Sequence, residues 1–248
     1  MSNALTNGAT ITVVSSGSSY HTLTDWNLAI SNTDYIGDPE VNETLVQIPG
    51  RSGFYDISEV VSGKPTFSTR KISLKVGGLL NDRQEWDNEI SRIRNLIHGR
   101  VVQIVFDNDP LWYWQGRCEV VDFDRFRRLG TFKIQIPNAL PFKYYVFDSA
   151  DSWLWDPFDF EDGIIPGYTS IDVEDESLTF SVGALPVNPI IKVNLITRVP
   201  FYVSWDTHSE RIDHEGTYRF PDMILYDDTV VTFNGAANIT VTYRSMSL

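Results

Sequence analysis

The chain has 248 residues and a mass of 28.2 kDa, and its 42% hydrophobic and 13% aromatic content exclude a disordered protein. The net charge of −13 excludes a nucleic-acid-binding face of the usual basic kind. A single cysteine, Cys118, excludes a disulfide framework and a cysteine-rich zinc site, and it is expected to be a small buried hydrophobe.

The first half of the chain predicts mainly β structure. Eight runs predict strands, at 9–15, 23–30, 44–48, 54–61, 66–76, 101–106, 111–123 and 131–136, and in three of them, 9–15, 23–30 and 66–76, apolar and polar residues alternate at period two. Gly77 and Gly78 are expected to end the strand that precedes them, and Gly116 is expected to form a bulge inside its run.

One loop in this half is too specific for a generic turn. Pro49 fixes φ, while Gly50 and Gly53 accept positive φ, so the chain can fold back sharply. Arg51 and Asp56 are expected to pair and to hold the loop as a clamp at a subunit boundary. The alternative is a tight surface turn with an exposed arginine.

One amphipathic helix is predicted between Asn81 and Gly99. Asn81 is expected to be the N-cap, with Gln84 completing a capping box and Gly99 ending the helix in the left-handed conformation. Apolar residues at spacings of three and four predict a face that packs over a sheet, formed by Trp86, Ile90, Ile93 and Ile97.

A hairpin tip follows at 124–130 and is the densest basic cluster of the sequence. Arg125, Arg127 and Arg128 surround Phe126, and we predict that they contact the acidic face of a protein partner. Contact with phosphate and a plain solvated tip remain alternatives.

A domain boundary is predicted at 147/148 from charge. Residues 1–147 carry 15 Lys and Arg against 16 Asp and Glu, whereas residues 148–248 carry 5 against 17. The aromatic connector 148–163 is expected to dock on a domain. The remainder predicts eight short strands without helical periodicity, which is typical of an antiparallel sandwich: 169–173, 177–182, 189–196, 200–205, 211–213, 217–220, 230–234 and 237–244.

No catalytic motif is present in the sequence. The pair His208 and His214 is the best acid–base or metal candidate, but its spacing matches no ligand pair, and the acidic turn at 107–109 lacks the ligand series of a calcium loop. We expect no enzyme activity, no metal and no cofactor. The first residues do not form a signal peptide and no run approaches about 20 apolar residues, so we expect synthesis in a cytoplasm and no membrane span.

Six motifs in a fixed order resemble the N-terminal domain of siphophage distal tail proteins (Dit), over roughly residues 20–145. They are Asp25-Trp26-x-Leu28, Ile48-Pro49-Gly50-Arg51-x-Gly53-x-x-Asp56, Arg70-x-Ile72, Leu96-x-His98-Gly99-Arg100, Asp109-Pro110-x-x-Tyr113-x-x-Gly116-Arg117 and Pro141-Phe142-Lys143-Tyr144. The second half resembles the galectin-like C-terminal domain of that family through Asn188-Pro189-Ile190 and Ile239-Thr240-Val241-Thr242-Tyr243-Arg244.

The resemblance implies a mainly β protein: an N-terminal β-barrel or sandwich with one packed helix, 1–147, and a galectin-like β-sandwich, 148–248. It implies a structural virion protein, the hexameric hub of a siphophage tail tip or baseplate, assembled in the host bacterial cytoplasm. Implied partners are its own copies, the tail tube protein, the tail-associated tip protein and receptor-binding or other baseplate proteins, with DNA only passing through the channel. The residues expected at the interface between subunits of the ring are Pro49, Gly50, Arg51, Gly53, Asp56, Arg70 and Arg117.

Two other functions stay open at this point. One is a carbohydrate-binding sandwich that contacts host cell-surface saccharide, in which Trp153, Trp155 or Trp205 stacks on a sugar. The other is a hydrolase that uses Asp206, His208 and His214.

Overall fold

The computed structural model describes residues 8–31, 35–60, 65–126, 128–149, 168–180, 182–183, 185–226 and 229–248. The chain divides into two compact units, residues 1–143 and residues 144–248. The division falls a few residues before the boundary predicted from charge. The predicted docking of the connector concerns residues that, apart from 148 and 149, lie outside the described residues.

The described part of unit 1 is built from short and medium β-strands and one helix. The elements are β1 (Ala9–Val13), β2 (Ser19–His21), β3 (Ala29–Ile30), β4 (Tyr35–Ile36), β5 (Leu45–Gln47), β6 (Phe54–Asp56), β7 (Arg70–Leu79), α1 (Arg83–Ile97), β8 (Val101–Phe106), β9 (Asp109–Arg117), β10 (Glu119–Phe126) and β11 (Leu129–Ala139). β12 (Lys143–Tyr145) follows at the division between the units.

Two antiparallel sheets enclose the core of unit 1. One sheet has the order β10-β11-β7-β3, with β4 also paired to β7, and the other runs β9-β8-β1-β2 within the unit. Alternate side chains of both sheets are buried in one apolar cluster, as the period-two pattern predicts. Unit 1 is therefore a β-sandwich with one packed helix, and the predicted fold class is confirmed.

Helix α1 packs its predicted apolar face on this core. Trp86, Ile90, Ile93 and Ile97 are all buried. The N-cap is Asp82, whose carboxylate accepts the backbone N–H of Glu85 at 2.9 Å, so the predicted cap at Asn81 is wrong by one residue.

Two strand predictions in unit 1 are corrected by the structure. Trp26 and Leu28 are buried as expected, but Trp26 lies in a turn and Leu28 in the irregular segment after it, and only residues 29–30 form a strand. The run 111–123 forms parts of β9 and β10, which separate at Cys118 because its N–H and carbonyl bond to residues 100 and 99.

Gly77 and Gly78 lie inside β7 and do not end it. A Cβ atom at Gly77 would lie 2.9 Å from Thr131, and one at Gly78 would lie 2.8 Å from Leu28. The two glycines therefore let neighbouring segments approach the strand closely.

Unit 2 contains one five-stranded antiparallel sheet within its described residues. Its strands are β13 (Ile171–Thr179), β14 (Ile190–Trp205), β15 (His208–Ile212), β16 (Gly216–Tyr218) and β17 (Val230–Thr242), and β18 (Met246–Ser247) lies outside this sheet. The sheet order is β13-β17-β14-β15, and β16 also pairs with β14. The galectin-like form of this unit stays a prediction.

Three of these strands are longer than predicted. Each of the three has an irregularity, and the three irregularities lie side by side across the sheet. β13 shifts register at Asp175, β14 shifts between Ile196 and Tyr202, and β17 contains Gly235 at φ 105°. The Asp175 carboxylate accepts the N–H of Gly235 at 2.7 Å and pairs with Arg198. Each pair of short strands predicted here is therefore one strand with a bulge.

Candidate interaction surfaces

The loop singled out in the sequence is the end of a two-stranded hairpin, β5 and β6, which we call the arm (residues 45–56). Among the residues that the structure describes, the two strands pair only with each other, in the register Leu45–Asp56, Val46–Tyr55 and Gln47–Phe54. The turn closes with the N–H of Arg51 on the carbonyl of Ile48 at 3.2 Å. Gly50 and Gly53 have φ of 82° and 90°, as expected, so residues with a side chain would be strained there.

Both faces of the arm expose apolar side chains. Residues directly opposite each other point to the same face, so Val46 and Tyr55 share one face, while Leu45 and Phe54 lie on the other. All four are exposed, and 65% of the Phe54 surface is accessible. An isolated two-stranded hairpin is at best marginally stable in water, so the arm needs another surface to pack against.

The predicted clamp between Arg51 and Asp56 does not form within the chain. Arg51 donates a hydrogen bond to the Tyr55 hydroxyl, and its guanidinium lies 4.4 Å from the centre of that ring. Asp56 instead accepts the hydroxyl and backbone N–H of Ser58, and these hydrogen bonds lower the pKa of its carboxyl. The clamp prediction was wrong because adjacent partners occupy both groups.

Arg70 lies inside unit 1, contrary to the interface role expected for it. Its surface is 6% exposed, its guanidinium lies 4.5 Å from the centre of the Trp114 ring, and its Nε has no hydrogen-bond partner in the described part of the chain. Burial lowers the pKa of Arg70, and the charge of Asp38 acts in the opposite direction. A side chain enclosed in its own chain cannot pair with a neighbouring subunit.

Arg117 also has a role within the chain. Its guanidinium donates to the carbonyl of Gly99, the residue that follows the C-cap of α1. Gly99 has φ 75°, as expected for the turn that ends this helix. Arg117 therefore satisfies a carbonyl at the helix end, and an interface role for it remains a prediction.

The basic hairpin tip presents an apolar patch. Phe126 pairs with Leu129 across the β10–β11 hairpin, and Leu129 pairs with Leu79 on β7. Cross-strand partners share a face, so the three side chains form one row, which we call the tip patch. Phe126 is 70% exposed, Leu129 is 46% exposed and Leu79 is 64% exposed. The sequence indicated Phe126, but the two leucines could be added only once the strand register was known.

The tip is braced by the start of α1. The Nε1–H of Trp86 donates to the carbonyl of Arg128 at 3.0 Å, and the Arg128 guanidinium donates to Leu80 and to Asn81. Arg128 was expected to contact a partner, but its side chain is engaged within unit 1. Arg125 is exposed, and Arg127 lies outside the described residues.

The candidate chemical sites have structural partners. Asp107 accepts the N–H of Gly8 and pairs with His21, both at 3.0 Å, while Asp109 pairs with Lys143 at 3.0 Å. Burial raises the pKa of Cys118 to about 12, so the thiol is inert at neutral pH.

The histidines predicted as a possible site form no metal-binding group. His208 stacks on Trp205 with ring centres 5.6 Å apart, whereas the carbonyl of His214 accepts the Tyr218 hydroxyl. Within the described ranges no three His, Cys, Asp or Glu side chains are placed to hold a metal ion.

Stacking of a sugar on Trp205 is excluded by burial, because this side chain is 3% exposed and packs on Phe220. Trp153 and Trp155 lie outside the described residues. No helix in the part of the chain that the structure describes has the length and hydropathy needed to cross a membrane.

Comparison with known proteins identifies the fold. No family model matches the sequence, and no curated protein matches it. The chain is similar to the crystal structure of the Dit protein of phage SPP1, described as a paradigm of the hub adsorption apparatus in phages that infect Gram-positive bacteria. The TM-score is 0.59 at 14% sequence identity, and the match covers 97% of this chain and 99% of that one. The chain therefore has the fold of that hub protein over nearly its whole length.

Proposed function

We propose that the chain is a structural subunit of a phage tail-tip hub and that six copies form its ring. The likeness to the SPP1 Dit protein supports the general role, because it extends over 97% of the chain. The observation that carries the ring proposal is the arm, whose apolar side chains are exposed on both faces. A subunit that leaves such a hairpin uncovered needs a neighbour to bury it.

The arm is suited to a head-to-tail contact. It projects the same side chains from every subunit, and such contacts close into a ring when the rotation between neighbours divides a full turn. The positive φ values of Gly50 and Gly53 give the turn a defined shape. Arg51, Pro49 and Asp56 lie on this exposed hairpin and remain in the proposed interface. Arg70 is removed from it because it is buried within its own subunit.

The tip patch is the proposed contact for the next protein along the tail axis. It presents three exposed apolar side chains, one of them a phenylalanine, which is a residue type enriched in protein interfaces. Arg125 is exposed next to Phe126 and lies on the other face of the hairpin, where it remains in the proposed contact. The hydrogen bonds from Trp86 and Arg128 hold the patch in place before a partner arrives. In this proposal the tail tube protein and the tail-associated tip protein bind opposite sides of the ring, and DNA passes through its channel.

The ring proposal is tested by the mass and shape of the purified protein. Size-exclusion chromatography with light scattering should give six times the 28.2 kDa chain mass, and negative-stain images should show six-fold rings. A monomer at high concentration in both measurements would contradict the proposal. A second assay, co-purification with the tail tube protein of the same virion, tests the tip patch: the double substitution of Phe126 and Leu129 by Ser should abolish co-purification and leave the ring intact.

A further inference from the structure

A small cavity in unit 2 is lined by two of the few arginines of this unit. Its volume is about 280 Å³, just below the roughly 300–1,000 Å³ of small-molecule sites, so its ligand must be small. The described lining residues are Asp148, Val187, Asn188, Ile190, Arg219, Thr242, Tyr243, Arg244 and Met246. We call this cavity the Arg219 pocket.

The walls of the pocket are fixed by hydrogen bonds within unit 2. The side-chain amide of Asn188 donates to the carbonyls of Phe220 and Met223 at 2.8 and 2.7 Å, which ties the segment after β16 to the start of β14. Val187 and Leu225 exchange two backbone hydrogen bonds beside this junction. One wall is therefore rigid, and it carries Arg219.

The opposite wall is the end of β17. The buried hydroxyl of Ser149 donates to the carbonyl of Val241 and accepts the N–H of Tyr243, both at 2.8 Å. The guanidinium of Arg244 donates to the carbonyl of Tyr145 at 2.8 Å and lies 3.7 Å from the Asp148 carboxylate. Both walls are thus preformed, which lowers the entropic cost of binding.

Positive charge is concentrated at the pocket although the unit is acidic. Unit 2 has 17 acidic and only 5 basic residues, and two of those five, Arg219 and Arg244, line this cavity. Two others, Arg198 and Arg211, form ion pairs elsewhere. Arg219 is exposed and has neither a hydrogen bond nor an ion pair among the described residues.

We propose that the Arg219 pocket binds a small organic anion, with its carboxylate or phosphate group on Arg219 and Arg244 and its apolar part against Ile190 and Met246. Guanidinium groups are matched to both anions because they donate parallel N–H bonds. Asp148 also lines the pocket and offsets one of the two positive charges, so the exposed guanidinium of Arg219 is the main attraction for the anion.

The proposal is tested by titrating the full-length protein with glucuronate and with glycerol phosphate, using calorimetry and ligand-observed NMR. Wild-type protein should bind at least one of them in the millimolar range or better, more weakly at high salt, and should bind neither glucose nor glycerol. Binding of glucuronate or of glycerol phosphate decides between a carboxylate and a phosphate ligand.

Substitution of Arg219 distinguishes binding in the pocket from nonspecific electrostatic attraction to the protein. Arg219→Gln should weaken binding at least tenfold and leave the melting temperature unchanged, because this side chain has no partner to lose among the described residues. Arg211→Gln makes the same charge change outside the pocket and should bind as wild type does. Absence of saturable binding to wild type, or equal binding by the Arg219 variant, would overturn the proposal.

Discussion

Replacing Phe54 by Ser should weaken self-association far more than folding. About 200 Å² is a typical area for a phenylalanine, and 65% of this side chain is exposed, so about 130 Å² is free for a neighbour to cover. At about 25 cal/mol per Å², complete burial is worth about 3 kcal/mol for each contact, which is about a hundredfold in dissociation constant. The free energy of unfolding of the monomer should change by no more than about 0.5 kcal/mol, since little of the Phe54 phenyl group is buried within its own chain.

The assay is a dilution series by size-exclusion chromatography with light scattering, together with thermal unfolding of each variant. Val14→Ser is the matched control, because Val14 is an exposed apolar residue of unit 1 that lies outside the arm. The Phe54 variant should dissociate at concentrations where wild type and control remain assembled. If the variant and the wild type dissociate at the same concentration, the arm does not hold the ring.

Three further outcomes are expected. Arg51→Ala should reduce ring formation in the same dilution series and leave thermal unfolding nearly unchanged, because its partner, the Tyr55 ring, is itself exposed; a fall in melting temperature with normal assembly would contradict this. Gly130→Ala should cost about 1–3 kcal/mol of stability by denaturant unfolding, because the added Cβ would overlap the Trp86 ring; unchanged stability would show that the tip tolerates displacement. Hydrogen bonding lowers the pKa of Asp175 from 3.8, so this carboxylate stabilises the folded state above that pH and the contribution is lost as pH falls through the folded pKa. Asp175→Asn should therefore flatten the loss of stability with acid below about pH 4, and a wild-type acid profile in the variant would exclude this role.

Patterns of local periodicity predicted most of the fold. The buried face of α1 and the alternation in β7 and β11 follow directly from spacing, because one face of each element meets the core. The failures lie where contacts distant in sequence decide the backbone. Gly78 was predicted to end a strand, but in the structure it lies within β7. Its missing side chain leaves the space that the Leu28 side chain occupies.

The interaction surfaces were predicted in part. The positive φ of Gly50 and Gly53 and the exposure of Arg51 follow from local chemistry. The partner of each arginine does not follow from local chemistry. A guanidinium can reach several acceptors, and only the folded chain determines which acceptors lie near it. Arg70 lies on Trp114, which is 44 positions away in sequence, and no spacing rule links the two residues.

The three irregularities in unit 2 have a consequence for how its sheet tolerates change. Because β13, β14 and β17 all break their regular pairing beside Asp175, Arg198 and Gly235, the sheet has a crease there. On one side of it β14 shifts register once more, between Val193 and Leu195, whereas on the other side residues 202–205 pair with 231–234 without a break. Side chains on each side specify their own pairing, so we expect an insertion of one residue at the crease to leave the unbroken ladder aligned.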